Sequence, residues 1–311
     1  YQKLRRVQVT WRILPDEKMP WGEIAQRMAE QRSVCTIVNM KKHAKKLFDA
    51  LQSECEKESA FYITTELCPA HRRVVIEQVK KRLRDGLPCR VIATQCIEAG
   101  VDLDFDNVFR ALAPLGSIIQ AAGRCNRNGR LPEGGQVLVF LPDEENLYPD
   151  NWYGRAAMLV SALHDEKPID LMNPSDIQRY YQRLFRKLKG SSELDSAIKA
   201  QDYALVEKNY RIIKNDGVQV LVPYEPENKM FEKLKEEALE HGLTMKWMHE
   251  AAPLCVTVYP DDFFSGYAEQ LCFAAKRNEP AQPSGYWVLC RKENYHMDTG
   301  LQLKNNSDYM W

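Results

Sequence analysis

The feature that most constrains this chain is the alternation of short apolar runs with amphipathic helices in its first 145 residues. Consecutive apolar positions, as at 34–40 and 89–97, are typical of strands buried on both faces. Helices of about 10–15 residues between such strands favour a parallel sheet that is covered on both sides. We therefore predict a doubly wound α/β domain. Its predicted strands are 7–13, 34–40, 60–67, 89–97, 107–113 and 135–141, and its predicted helices are 21–31, 41–52, 70–83 and 117–125.

The character of the chain changes after residue 142, where a polar segment interrupts the alternation. Helical spacing then predicts helices at 153–163 and 175–188, followed by a polar stretch at 191–202. Beyond it we predict a smaller α+β domain, with strands at 218–224, 254–259 and 286–289 around a charged helix at 229–241. The predicted division is an α/β domain at 1–145, a helical linker at 146–205 and a C-terminal accessory domain at 206–311.

Composition limits the classes of function. Lys plus Arg and Asp plus Glu each number 43, so the zero net charge gives no global electrostatic case for nucleic acid, and any such case rests on local patches. No run approaches the roughly 20 apolar residues that a membrane helix needs, so we expect no membrane contact and a cytoplasmic location. The cysteines, nine in number and without a Cys-x-x-Cys pair, favour reduced thiols. The histidines show no metal-ligand spacing, so no metal site is predicted.

Two segments carry the candidate chemistry, 93–106 (ATQCIEAGVDLDFD) and 120–130 (QAAGRCNRNGR). Taken singly, they also fit polar loop residues and a solvated basic face. A calcium loop starting at Asp102 is excluded, because its sixth position is Asn107 and its twelfth is Ala113. Functional residues of a parallel sheet gather at the carboxyl ends of its strands, so we expect both segments at that edge.

The two arginines of the second segment suit phosphoryl chemistry. Arg124 and Arg127 lie three residues apart, so on a helix they would share a face. Two fixed guanidinium groups are what a transferring phosphoryl group needs, because negative charge spreads over its oxygens in the transition state. Arginine also grips phosphate oxygens with two parallel hydrogen bonds, which lysine cannot do.

At these residues a family resemblance is visible. The segment 93–105 resembles motif V of superfamily-2 helicases, and 120–127 resembles motif VI (Q-x-x-G-R-x-x-R), in matching order and spacing. Their longer forms are similar to those of the Cas helicase-nuclease of type I CRISPR systems. Runs at 34–51, 68–73, 137–142 and 210–224 support the resemblance. It implies that the α/β domain is the second RecA-like domain of such a helicase.

The resemblance also implies roles for individual residues. Arg127 would be the arginine finger on the γ-phosphate of ATP, with Arg124 as the second catalytic arginine. DNA phosphates would be contacted by Thr94 and Gln95, and Glu98 would orient the motif V segment. The residues expected to face the nucleotide are Gly100, Asp102, Gln120 and Gly123.

Local basic residues fit a DNA track. Arg72 and Arg73 begin a predicted helix, where His71 also lies, and a helix N-terminus itself favours phosphate. Four lysines cluster at the start of the helix 41–52. Ordinary solvated helix faces are the alternative explanation for both groups. We predict DNA contacts for Arg72 and Arg73.

Other helicase elements do not occur in the sequence. It contains no G-x-x-x-x-G-K-[ST] loop, no Asp-Glu-x-His or Asp-Glu-x-Asp magnesium box and no histidine-aspartate nuclease motif. The chain does not begin with methionine, and we expect it to be a fragment. The resemblance implies the C-terminal half of an ATP-dependent translocase on single-stranded DNA, inactive alone, in a bacterial or archaeal cytoplasm. Its expected partners are the N-terminal helicase and nuclease domains, which would hold the Mg²⁺ that accompanies ATP, and the RNA-guided surveillance complex (Cascade).

Two alternatives remain open at this point. The chain could be a non-catalytic module that grips DNA or docks on a partner. It could also be half of another superfamily-2 helicase.

Overall fold

A computed structural model describes residues 6–98, 101–187, 192–209, 217–259, 266–273 and 281–303. In these residues six parallel strands form one sheet, in the order β1-β6-β5-β2-β4-β3. The predicted doubly wound α/β sheet is therefore confirmed. The strands are β1 (Val7–Arg12), β2 (Ser33–Ile37), β3 (Ala60–Ile63), β4 (Cys89–Ala93), β5 (Asn107–Ala111) and β6 (Gly135–Phe140).

Helices cover both faces of this sheet, which explains why every residue of the central strand β2 is buried. One face packs against α1 and α2 through residues such as Met28 and Leu47. The other face packs against the remaining helices through residues such as Val79 and Ile118. The helices are α1 (Trp21–Ala29), α2 (Lys41–Gln52), α3 (Pro69–Arg84), α4 (Leu115–Ala122), α5 (Asn151–Glu166) and α6 (Pro174–Lys187).

Helices α5 and α6 belong to the core of the α/β domain. Tyr153 and Val160 of α5, with Tyr180 of α6, join the same apolar cluster as strands β4, β5 and β6. The Tyr180 hydroxyl also donates to the carbonyl oxygen of Ala156 at 3.2 Å. These two helices therefore extend the core that the sheet begins.

The C-terminal part of the chain is built around a second sheet. Its elements are α7 (Ser192–Lys199), α8 (Tyr203–Asn209), β7 (Val218–Leu221), α9 (Asn228–His241), α10 (Met245–Ala251), β8 (Cys255–Val258), β9 (Ala268–Cys272), β10 (Pro283–Leu289), β11 (Tyr295–His296) and β12 (Gly300–Leu301). Four of these strands form the sheet, in the order β8-β7-β10-β9.

In the described part of the chain, no helix is long and apolar enough to cross a membrane.

The two parts meet at the start of α3. The His71 ring stacks on Tyr224, with ring centroids 4.6 Å apart, and its Nδ1 lies 3.0 Å from the Tyr295 hydroxyl. The amide of Gln302 donates to the buried Glu66 carboxylate at 3.2 Å. Burial lowers the pKa of His71 to about 4, so the ring is neutral near pH 7. His71 therefore belongs to this junction and not to the basic cluster suggested by the sequence.

Gly300 should be essential for this junction. Its φ is 76°, a left-handed conformation that disfavours side chains, and a Cβ there would overlap the Glu66 carbonyl oxygen. We expect Gly300→Ala to lower the free energy of unfolding by about 2 kcal/mol. The control is Gly285→Ala, because a Cβ at Gly285 would meet no atom within 4 Å. Thermal unfolding of both variants checks the prediction, which fails if they lose equal stability.

Candidate functional site

The motif V segment begins at the carboxyl edge of the six-stranded sheet. Thr94 directly follows β4, and its backbone N–H donates to the carbonyl oxygen of Ile63 at 3.3 Å. A 3-10 turn at Gln95–Ile97 comes next. The chain then returns to the opposite edge, where the N–H of Asp106 donates to the Ser33 hydroxyl at the start of β2. The predicted nucleotide contact Gly100 lies outside the described residues.

The motif VI segment ends at the amino edge of the sheet, which is formed by the amino ends of the parallel strands. Helix α4 leaves the carboxyl end of β5 and runs back for eight residues, roughly 12 Å along its axis. Two backbone hydrogen bonds then join this segment to the end of motif V, from Phe105 N–H to Arg124 O (2.9 Å) and from Asn126 N–H to Phe105 O (2.8 Å). The two segments do meet, but at the amino edge.

The prediction that both segments project from the carboxyl edge is therefore wrong. Thr94 and Gln95 lie at that edge, whereas Asp102 and the two arginines lie at the other. The reason is that α4 carries the chain back across the sheet before the arginines begin.

The prediction that Arg124 and Arg127 share one face of a helix is also wrong. Helix α4 starts at Leu115, after Pro114, and ends at Ala122 with Gly123 as its C-cap, so both arginines follow the helix. Asn126 between them has a φ of 45°, which turns the backbone sharply. Gln120 is exposed near the end of the helix.

Arg124 is buried, with 7% of its surface exposed. Its guanidinium donates to the carbonyl oxygens of Glu98 (2.6 Å) and Val101, both in the motif V segment. Burial, and secondarily the positive charge of Arg127, lower the pKa of Arg124. These contacts place Arg124 where it holds the motif V segment against the motif VI turn.

Arg127 is the accessible arginine of the pair. Its Nε lies 3.2 Å from the Asp102 carboxylate, and the two side chains are 44% and 80% exposed. An ion pair in that much solvent contributes about 0–1 kcal/mol, so a ligand phosphate can displace Asp102 at little cost. Arg127 and Gly123 also line a cleft of about 360 Å³, whose walls include Ile119 and Met172.

Asp104 fixes the turn that presents Arg127. Its carboxylate accepts the backbone N–H groups of Arg127 (2.8 Å) and Asn128 (3.2 Å) and pairs with Arg130 at 3.2 Å. The sequence indicated only a loop carboxylate at this position. Its partners lie more than 20 residues away in the chain, so no local pattern could identify its role.

A buried ion pair supports the start of motif V. Arg110 of β5 is fully buried, and its guanidinium lies 3.1 Å from the Glu98 carboxylate. It also donates to Asn39 Oδ1 (2.8 Å) and to the Tyr153 hydroxyl (3.1 Å). This contact gives a physical basis for the predicted orienting role of Glu98. The sequence did not predict a role for Arg110, because it lies within an apolar strand.

The other predicted DNA contacts lie at the carboxyl edge. Arg72 and Arg73 are the fourth and fifth residues of α3, where Arg73 is exposed and Arg72 is half-buried. Of the lysines at the start of α2, Lys45 pairs with Asp49 and Lys46 with Glu144, each at 2.6 Å. Those two lysines are therefore partly neutralised by carboxylates, which weakens their case as phosphate contacts.

The described residues offer no metal site. Among them, no group of three or more His, Cys, Asp or Glu side chains is arranged to hold an ion. The resemblance implies that the Mg²⁺ ligands lie on the N-terminal helicase half, so we assign no step to that ion here.

Comparison with known proteins finds similarity to a family over part of the chain. Residues 30–130 match the family model described as CRISPR-associated nuclease/helicase Cas3, C-terminal. A CRISPR-associated nuclease/helicase Cas3 from Haloferax volcanii is 52% identical over 84 residues, which are 25% of this chain and 9% of that protein. The protein of the same name from Methanothermobacter thermautotrophicus is 26% identical over 219 residues, 65% of this chain and 26% of its own length.

Solved structures share the fold. The crystal structure of T. fusca Cas3 superposes with a TM-score of 0.57 at 14% identity, over 92% of this chain and 39% of that chain. A chain of a CRISPR RNA-guided surveillance complex before nicking gives a TM-score of 0.56 at 14% identity, over 99% and 43%. The chain therefore spans less than half the length of these relatives.

The role of Asp104 can be tested by removing its carboxylate. We expect Asp104→Ala to leave the amides of Arg127 and Asn128 without their acceptor, so that both exchange with solvent about tenfold faster. Asp106→Ala is the control, because among the described residues the Asp106 carboxylate contacts this turn through a 3.8 Å ion pair with Arg130 and accepts neither amide. The exchange rates of these two amides are measured in both variants by NMR or mass spectrometry. Equal exchange in the two variants would contradict the assignment.

Proposed function

We propose that this chain supplies the second RecA-like domain of an ATP-driven translocase on single-stranded DNA. The match of residues 30–130 to the Cas3 C-terminal family model supports this proposal. The observation that carries the proposal is the state of Arg127. It is an exposed arginine, fixed at the backbone by Asp104, and the part of the chain that the structure describes holds its side chain by a surface ion pair alone. Such a group is ready to bind a phosphate that arrives from a facing domain.

Arg127 is then the arginine finger. Its planar guanidinium can leave Asp102 and bind two oxygens of the γ-phosphate, where negative charge spreads as the bond to the β-phosphate breaks. ATP is the substrate in this proposal. Cas3 from T. fusca has been solved with ATP, AMPPNP and ADP, which supports a nucleotide as ligand.

The other predicted nucleotide residues take supporting parts. Arg124 keeps the motif V segment and the finger in a fixed relation through its two backbone carbonyl contacts. We assign it this positioning role in preference to direct phosphate contact, because its guanidinium is already bound. Asp102, once released by Arg127, faces the ribose or a bound water. Gly100, Gln120 and Gly123 remain predicted contacts of the nucleotide.

The DNA strand would run along the carboxyl edge. The hydroxyl of Thr94 and the amide of Gln95 lie there with the exposed Arg73 and its neighbour Arg72. Contacts of these kinds bind phosphates without reading bases, as a translocase requires. The two sites are separated by the length of a five-residue strand, roughly 16 Å. A rigid sheet can therefore convert closure at the nucleotide edge into displacement at the DNA edge.

The partners follow from the same proposal. The N-terminal helicase domain would contribute the phosphate-binding loop and the Mg²⁺ ligands, and the nuclease domain would cut the strand fed to it. The surveillance complex Cascade would deliver the DNA. Support comes from the similar fold of a chain in a CRISPR RNA-guided surveillance complex. The described second sheet belongs to the proposed accessory domain at 206–311.

A substitution of the finger tests the proposal. In the full-length enzyme that contains this chain, we expect Arg127→Ala to lower DNA-stimulated ATP turnover by roughly 10³-fold, because the transition state loses its charge partner. Arg183→Ala is the matched control. Arg183 is 48% exposed and also pairs with one carboxylate, that of Glu166, but it lies on α6. Turnover at saturating ATP and single-stranded DNA is measured for both variants.

The outcomes separate the candidates. Loss of turnover in Arg127→Ala with wild-type turnover in the control supports the finger. Wild-type turnover in both variants would contradict it. An enzyme that binds DNA but never hydrolyses ATP would favour the alternative of a gripping or docking module.

A further inference from the structure

A buried polar network, here called the relay, lies at the carboxyl ends of the strands and is contacted there by the side chain of Arg124. It consists of Glu98, Arg110, Asn39 and Tyr153. Three of these residues lie in or beside β4, β5 and β2, and Tyr153 is on α5, outside every motif that the sequence analysis identified. All four side chains are buried. A polar network of this size inside an apolar core is costly unless its hydrogen bonds are made, so its arrangement needs an explanation.

At one end, the relay contacts the proposed nucleotide side. Arg124 donates to the backbone carbonyl of Glu98 at 2.6 Å, and the Glu98 side chain lies 3.1 Å from Arg110. A movement of Glu98 therefore changes the position of Arg124, whose turn carries the proposed finger.

At the other end, the relay contacts the proposed DNA side. The Tyr153 hydroxyl accepts from Arg110 at 3.1 Å and donates to Asn39 Oδ1 at 3.1 Å. The Gln95 amide donates to the Tyr153 hydroxyl at 3.4 Å and to the backbone carbonyl of Asn39 at 3.3 Å. Both Gln95 bonds are long, hence weak, so a DNA phosphate can compete for that amide.

The relay is incompletely satisfied. Three buried atoms have no aligned hydrogen-bond partner among the described residues: Glu98 Oε1, Arg110 Nε and Arg124 Nε. The 3.1 Å contact between Glu98 and Arg110 is thus an ion pair without hydrogen-bond geometry. Burial raises the pKa of Glu98, and Arg110 opposes that change. A buried network with unmet hydrogen bonds on its Arg124 side and long ones at Gln95 has other arrangements close in free energy, which is the property that coupling between sites requires.

We propose that the relay couples DNA binding at Gln95 to the placement of Arg124, with Arg110 and Tyr153 as positioning residues. When the Gln95 amide turns to a DNA phosphate, the Tyr153 hydroxyl loses that donor. Arg110 then binds that hydroxyl more closely, and Glu98 and Arg124 shift with it. The inference rests on the proposed function and extends it, because it makes α5 part of the coupling between DNA and nucleotide.

The simpler alternative is that the relay only stabilises the core. In that case loss of the Tyr153 hydroxyl lowers stability and leaves the response to DNA unchanged. A test must therefore measure coupling as well as stability.

Tyr153→Phe is the sharpest variant, since it removes one oxygen and keeps the ring. In the full-length enzyme we expect ATP turnover without DNA to stay within about twofold of wild type. The factor by which saturating single-stranded DNA raises turnover should fall roughly five- to tenfold. A change of this size corresponds to the loss of a modest coupling free energy between the two sites. Thermal unfolding and the Kd for single-stranded DNA, measured by fluorescence anisotropy, are recorded for the same samples.

Tyr180→Phe is the matched control. Tyr180 is also buried, and its hydroxyl donates to the backbone of Ala156 on α5, apart from the relay. We expect this control to keep the wild-type stimulation factor. The relay is refuted if Tyr153→Phe keeps that factor too, or if the control loses as much of it. A wild-type enzyme without any DNA-stimulated turnover would instead overturn the proposed function, and the relay with it.

Discussion

The hydrogen bonds from Arg124 to the carbonyl oxygens of Glu98 and Val101 are the interaction on which the site depends. They join two segments that leave the sheet at different strands and make one unit of them. A buried guanidinium without partners costs several kcal/mol, so the motif V segment must stay where these carbonyls meet it. Arg127, three residues later, is thereby fixed in place while its own side chain remains exposed. The buried Arg124 fixes the turn, and the exposed Arg127 is therefore available to bind a phosphate.

The sheet separates the residues proposed to bind DNA from those proposed to bind the nucleotide. Residues that suit DNA phosphates lie at the carboxyl edge, and residues that suit a nucleotide lie at the amino edge, because α4 returns the chain across the sheet. The C-terminal part docks at the start of α3, also at the carboxyl edge, through His71 and Glu66. The accessory sheet is thus anchored beside the proposed DNA track.

Much of the fold was predictable, and the reasons for the rest are physical. Consecutive apolar residues identified all six strands of the first sheet, although the predicted strands ran past the observed ends, as at 89–97, where β4 ends at Ala93. Helix α2 was predicted with its observed ends. The polar helices α7 and α8 and the short helix α10 were missed, because little in their local pattern marks them. The edge on which the arginines lie, and the burial of Arg124 and Arg110, depend on tertiary packing that spacing along the chain does not encode.

Hydrogen exchange of this chain with and without single-stranded DNA would test the central claim, that DNA and nucleotide residues occupy opposite edges of one sheet. The account predicts that DNA slows exchange most in the turn at Gln95–Ile97 and in the first turn of α3, with a smaller change at 124–128. Protection centred on 124–128, with none at the 3-10 turn, would contradict it.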